Sequence, residues 1–222
     1  MSNRRRHAER DQSVSPFSAT LIRLCESTGA LGAALVDAEG ETVDYAGYRN
    51  PYEIKVTAAE WRIVLGLVLA ARLPGFKQIL AVSIRCRARS YFVEAMPDGY
   101  AIVMELPRFA FLISRRALAQ AVRELSQEAG LVLPASRSGA RWARVRILSA
   151  KDDPRRPEAI WIAQAWSPLT ILGRYQARDL ARHEVGYLAR LLSGAEVFLV
   201  REPLGYWYVD DVNAVATEPA PS

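Results

Sequence analysis

The stretch at residues 21–48, where a helix runs into a hairpin, constrains this chain more than any other. Leu21, Leu24 and Cys25 fall on one helical face, and the segment stops at Gly29, the residue type that most readily takes the left-handed conformation ending a helix. Ala30-Leu31-Gly32-Ala33-Ala34-Leu35-Val36 is small and apolar, and Asp37-Ala38-Glu39-Gly40 has the composition of a tight turn. Glu41-Thr42-Val43-Asp44-Tyr45-Ala46 alternates as a half-exposed strand does. A helix feeding a hairpin opens a small sheet domain. The stretch carries no catalytic group, so function has to be argued from surfaces and partners.

Further along, Thr57-Ala58-Ala59-Glu60 reads as a capping box and predicts a helix over 58–73, closed by Pro74-Gly75. Strand-like runs follow at 76–86, 89–95 and 100–106, the last two joined by Met96-Pro97-Asp98-Gly99. A third helix, from 108 or 114 to 129, places Leu118, Ala121, Val122 and Leu125 on one stripe before Gly130. The predicted order is helix, two strands, helix, three strands, helix.

That order, together with the Gly-Ala-Ala-Leu-Val-Asp-Ala-Glu-Gly hairpin at residues 32–40, resembles the roadblock/LC7 domain, the dynein light chain type, over residues 16–131. The resemblance implies an α+β domain with a five-stranded antiparallel sheet, the second helix on one face and the first and third on the other. It further implies pairing of two copies through the second helix, and partnership with a small Ras-like GTPase. On the second helix Trp61, Val64, Leu65 and Val68 form one stripe, while Ile63, Leu67 and Leu69 extend the apolar character round the rest of the circumference. A helix apolar nearly all round needs cover on a second side, from a dimer mate, a bound protein or the rest of the chain. Trp61, Val64, Leu65 and Val68 are the expected interface. Arg62, Arg72, Arg115 and Arg116 are the candidates for an arginine that stabilises phosphoryl-transfer charge on a bound GTPase.

Residues 132–141 break the periodicity with proline, serine and glycine and read as a linker. A smaller α+β domain is expected over 142–210, in the order two strands, helix, two strands, with the helix over 176–192 carrying Leu180, Tyr187, Leu188 and Leu191. Trp142, Arg144 and Arg146 alternate onto one strand face, and further tryptophans and tyrosines are interleaved with arginines. Such a surface could bind nucleic acid or an acidic ligand. The plainer explanation is that a domain of this size uses large aromatics to build its core, and no nucleic-acid motif accompanies them. Residues 1–15 and 211–222 are polar and read as flexible tails, the first one basic.

Half of the 222 residues are hydrophobic and 24% are charged, which argues for buried cores over general disorder. The net charge of +5 comes almost wholly from arginines scattered among aspartates and glutamates. The Arg4-Arg5-Arg6 run precedes no apolar core of a signal peptide, and the longest apolar stretch, 63–71, is far below the ~20 residues of a membrane span, so a cytoplasmic protein is expected. Cys25 and Cys86 lie in apolar-periodic segments and are expected to be buried thiols. His7 falls in a tail, and His183 is isolated on the predicted last helix. No metal-ligand spacing, phosphate loop or catalytic constellation is present, so no cofactor or metal is expected.

The expectation is therefore a non-enzymatic regulator or scaffold of a small Ras-like GTPase, homodimeric, with the second domain conferring partner choice. The alternatives are a nucleic-acid or acidic-ligand binder acting through 142–210, and a profilin-like small-molecule sensor.

Overall fold

Ser15 starts the first helix, α1 (Pro16–Thr28). Its hydroxyl accepts from Ser18 N while its own N–H donates to Ser18 Oγ, a reciprocal capping box. The same hydroxyl donates to Asp44, a buried carboxylate in the second strand. The helix ends on Gly29 at φ 72°, whose N–H closes on Cys25 O. The computed structural model describes residues 13–71, 79–108, 113–133, 142–175 and 183–210, and the chain divides into two units, Met1–Ser138 and Gly139–Ser222.

In the first unit α1 is followed by β1 (Gly32–Val36), β2 (Thr42–Gly47), α2 (Pro51–Ala70), β3 (Ala81–Arg85), β4 (Arg89–Ala95), β5 (Ala101–Pro107) and α3 (Arg115–Glu128). The strands form one antiparallel sheet in the order β2-β1-β5-β4-β3. Every residue of β1 is buried, as is most of its neighbour β5. Alternation sends Ala33, Leu35, Ile102 and Met104 to one face, where Leu21, Leu24, Leu118, Val122 and Leu125 of α1 and α3 cover them. Ala34, Val36, Ala101 and Val103 face the other way, onto Ile54, Ala58 and Leu65 of α2. The element order, the five-stranded antiparallel sheet and the placing of the three helices expected over residues 16–131 are present.

Two local expectations are corrected here. The second helix starts at Pro51 and not at Ala58. Asn50 accepts from Tyr52 N and Pro51 occupies the first turn, where its missing N–H costs nothing, so Thr57 lies inside the helix and caps nothing. Cys86 is exposed whereas Cys25 is buried. β3 ends at Arg85, and Cys86 sits in the turn to β4 with its N–H on Arg89 O. Burial pushes the Cys25 thiol up to about 12, so it is an inert core group.

The second unit is entirely strands among its described residues: β6 (Ala143–Val145), β7 (Ile147–Ser149), β8 (Pro157–Ile162), β9 (Ala165–Pro168), β10 (Thr170–Tyr175), β11 (Val185–Arg190), β12 (Glu196–Arg201) and β13 (Trp207–Val209). One sheet has the order β10-β11-β12-β13-β6 and the other β7-β8-β9. β6 runs into β7 through Arg146, and β9 into β10 through Leu169. The ladders carry through both bends, because Trp161 N donates to Arg146 O and Leu169 N to Glu158 O, each at 2.9 Å. The antiparallel pairings therefore form a closed ring, with two bent strands shared between the sheets. This is a small up-and-down barrel, an arrangement that removes free edges. Its interior is filled by Ile160, Ile162, Tyr187, Leu199, Trp207 and Val209.

The predicted helix over 176–192 is overturned for its described part, and with it the α+β class of this unit. Residues 185–190 pair with β10 on one side and β12 on the other. Tyr187, Leu188 and Leu191 do lie at helical spacing, but Tyr187 and Ala189 also alternate inward at the period of a strand, and two flanking ladders decide the outcome. His183 consequently stands exposed in a turn at φ 77°, not on a helix. Residues 176–182 lie outside the described residues.

Gly47 gives the fold a specific test. It sits at φ 147°, and a Cβ there would stand 2.5 Å from Gly32 Cα and 2.6 Å from Leu31 O, both backbone atoms that cannot turn aside. Gly47→Ala is expected to destabilise the first unit by at least ~2 kcal/mol. Gly40→Ala, which meets nothing within 4 Å and carries only the cost of φ 93°, should cost less. Chemical denaturation of the full chain followed through Trp61, the one tryptophan before residue 139, checks the ranking.

Candidate functional site

Helix α2 lies against the sheet by one side only. Leu65 is 2% exposed, inside the unit's own core. Trp61 is half-buried, its ring 4.9 Å from that of Tyr91 on β4, and Val64 and Val68 are half-buried as well. The stripe expected to meet a partner is thus turned partly inward, and Leu65 is withdrawn from any surface. The apolar residues on the outside are Tyr52, Val56, Ile63, Leu67 and Leu69. Ile63 is 63% exposed and Leu67 67%. Tyr52, Val56, Ile63 and Leu67 recur at helical spacing, so they make a continuous apolar ridge rather than scattered exceptions. The sequence does not show which side of α2 faces out, because its apolarity is nearly uniform round the helix and only the sheet beneath it selects an inner face.

Among the described residues β3 is an edge of the sheet, pairing with β4. Its Val82 and Ile84 are half-buried against the α2 cluster.

The candidate arginines separate. Arg62 is a clamp: its Nε donates to Asp37 O at 3.2 Å and Gly99 O at 2.9 Å, and an Nη donates to Ala38 O at 3.1 Å. One guanidinium thereby ties α2 to the β1–β2 turn and to the turn before β5. Gly99 makes the approach possible, since a Cβ there would stand 2.8 Å from Ala38 Cβ. Arg116 is buried in the first turn of α3, and Arg115 beside it is exposed. Arg72 lies outside the described residues. Of the four, Arg115 is the described one that the fold leaves open to solvent.

Glu105 on β5 is 4% exposed. Arg89 reaches it at 2.9 Å and Arg49 at 3.7 Å, and Arg49 also pairs with Glu53 at 2.6 Å. Burial pushes the Glu105 carboxyl above its ordinary range, against the pull of both arginines.

On the barrel, Arg144 and Arg146 are both exposed, as their alternation predicts, and Trp142 is half-buried. The Arg144 guanidinium lies 3.9 Å from the centre of the Tyr206 ring. That of Arg146 lies 4.7 Å from Trp161 and 5.7 Å from Trp166, two rings that meet edge to face at 5.2 Å. Trp207 and Tyr208 are buried. The aromatics thus divide between core and outer wall. Among the described residues no group of three or more histidines, cysteines, aspartates or glutamates is placed to hold a metal ion, and no helix is long and apolar enough to cross a membrane.

No protein-family model matches the sequence, and no curated protein matches it. Among solved structures the chain is similar to Myxococcus xanthus MglB, with 17% identity and a TM-score of 0.47 over 54% of this chain and 98% of that one. The gliding protein MglB from Thermus thermophilus is similar at 16% identity and TM-score 0.44, over 54% of this chain and 94% of its own. A Roadblock/LC7 domain from Streptomyces avermitilis is similar at 17% and 0.38, over 50% and 88%.

Two outcomes follow from these geometries. Arg62→Ala removes donors to three main-chain carbonyls and is expected to cost about 1.5–3 kcal/mol, whereas Arg115→Ala should leave stability within ~0.5 kcal/mol. Paired urea titrations check the contrast. For Glu105 the folded pKa lies above the unfolded one, so its contribution is fully present below the unfolded value near ~4.3 and is lost as pH rises through the folded value. The stability of the parent protein relative to Glu105→Gln should therefore decline with rising pH across that window, as read from urea midpoints at a series of pH values.

Proposed function

We propose that this chain is a non-enzymatic regulator or scaffold of a small Ras-like GTPase, that it works as a homodimer joined through α2, and that the second unit sets partner choice. The observation carrying the proposal is the apolar ridge of α2, with Ile63 and Leu67 about two-thirds exposed on a helix whose other side is already packed. Full burial of one aliphatic side chain contributes about 1.5–3 kcal/mol, and a two-fold pairing counts each residue of the ridge twice. The edge of β3, unpaired on one side among the described residues, offers further main-chain donors and acceptors for pairing. The GTPase itself comes from the roadblock resemblance of residues 16–131.

Regulation on this reading works through differential affinity, since the nucleotide state that fits the paired surface better is the one populated. Arg115 is the candidate contact to a bound GTPase, and Arg62 serves by holding α2 against the two turns. No chemistry is assigned to the chain.

Leu67→Asp is expected to convert a dimeric parent into a folded monomer, because it places a charge at the centre of the ridge without touching the inner face. Light scattering after gel filtration measures the mass, and circular dichroism checks the fold. A monomeric parent protein would end the pairing proposal. Immobilised full-length protein, exposed to lysate with GDP or a nonhydrolysable GTP analogue, should retain an identified small GTPase in one nucleotide state. Retention of none, from a lysate shown to contain folded ones, would remove the GTPase part.

A further inference from the structure

The barrel's outer wall carries a feature that pairing through α2 leaves unused. Tyr206, Arg144, Arg146, Trp161 and Trp166 come from successive strands of the ring and meet side by side, through the β13–β6, β7–β8 and β8–β9 pairings and the Arg146 bend. Each guanidinium lies over an aromatic ring, which restrains it while leaving its N–H edge toward solvent. Among the described residues neither Arg144 nor Arg146 has a carboxylate partner. Arg156, in the loop before β8, is by contrast engaged by Asp152 at 3.1 Å and Glu158 at 3.8 Å. Two held cations without a carboxylate partner among the described residues form a small, discrete anion-recognition surface.

We propose that this strip docks an acidic protein segment, an extended stretch with carboxylates at alternate positions. Arg144 on β6 and Arg146 at the bend into β7 are two residues apart in sequence and both exposed, so one short segment can reach both guanidiniums. Side chains two apart on an extended peptide fall on one face, so two carboxylates can be offered to the two guanidinium edges together. The flanking rings give the segment apolar contact on either side. Single-stranded nucleic acid is the poorer occupant. Its bases need open ring faces, and the faces of Tyr206 and Trp161 are covered by guanidiniums. From residue 139 onward arginines and lysines barely outnumber aspartates and glutamates, so the broad basic field that tracks a nucleic-acid backbone is missing from this part of the sequence. The features that mark the strip are guanidiniums and rings, so the occupant binds through side chains.

The test uses the full chain and a short fluorescein-labelled peptide with two aspartates at alternate positions, followed by anisotropy. Saturable binding that weakens with salt is expected, and Arg144→Ala combined with Arg146→Ala should weaken it roughly tenfold or more, the loss of two charge-assisted contacts. Arg155→Ala, an exposed loop arginine, should leave it unchanged. Arg144→Lys with Arg146→Lys guards against misfolding of the alanine variant: it keeps the charge, loses the planar fork, and should still weaken binding. Equal binding of a peptide with asparagines in place of the aspartates would overturn the proposal. So would unchanged binding by a folded double variant, absence of peptide binding, or tighter binding of an oligodeoxythymidylate of matching length, which would reassign the strip to nucleic acid.

Discussion

Everything in the first unit depends on the two-sided burial of β1. Gly32-Ala33-Ala34-Leu35-Val36 has no polar side chain to present to water on either face, so both faces of the sheet must be covered at this point. The chain meets that demand with α1 and α3 on one side and α2 on the other. The small residues matter as much as the large ones. Ile54 of α2 comes so near that a Cβ on Gly32 would meet it at 3.2 Å, and Gly47 across the ladder has no room for a Cβ at all. Close packing of helices on a central strand leaves no space to adjust, so the register is set tightly where burial is complete.

That arrangement has a consequence for α2. The helix offers one side to the sheet and remains apolar on the other, while Arg62 pins it to two turns through three carbonyls. A ridge such as Ile63 and Leu67 on a firmly held helix is preorganised for association, because little freedom remains to be lost when it is covered. The second unit solves its own problem differently. It closes a ring of short strands, fills the interior with aromatic and aliphatic side chains, and leaves arginine-capped rings on the outside. The two units thus present unlike surfaces, one apolar and the other cationic and aromatic.

Local chemistry that acts within a few residues was legible in the chain. The Gly29 stop, the tight turn at 37–40, the β4 run and the α3 stripe all depend on neighbours in sequence, and each appears where the pattern placed it. The Asn50-Pro51 start of α2 was equally local, and a reading that weighted asparagine before proline above Thr57-Ala58-Ala59-Glu60 would have found it. Cys86 shows the reverse. Its apolar neighbourhood is real, but a turn rather than a strand receives it.

By itself the sequence determined that an apolar, small-residue hairpin follows a capped helix, and hence that a layered sheet domain opens the chain. Its alternation also placed Arg144 and Arg146 outward together, and both are exposed. Only tertiary structure decided which side of α2 is inside, since a nearly uniform helix has no face until a sheet chooses one. Only tertiary structure made a strand of residues 185–190 and brought Trp161 and Trp166 to Arg146. Pairing with distant strands supplies the hydrogen bonds that local periodicity leaves undecided, and it sets side by side residues that are far apart along the chain.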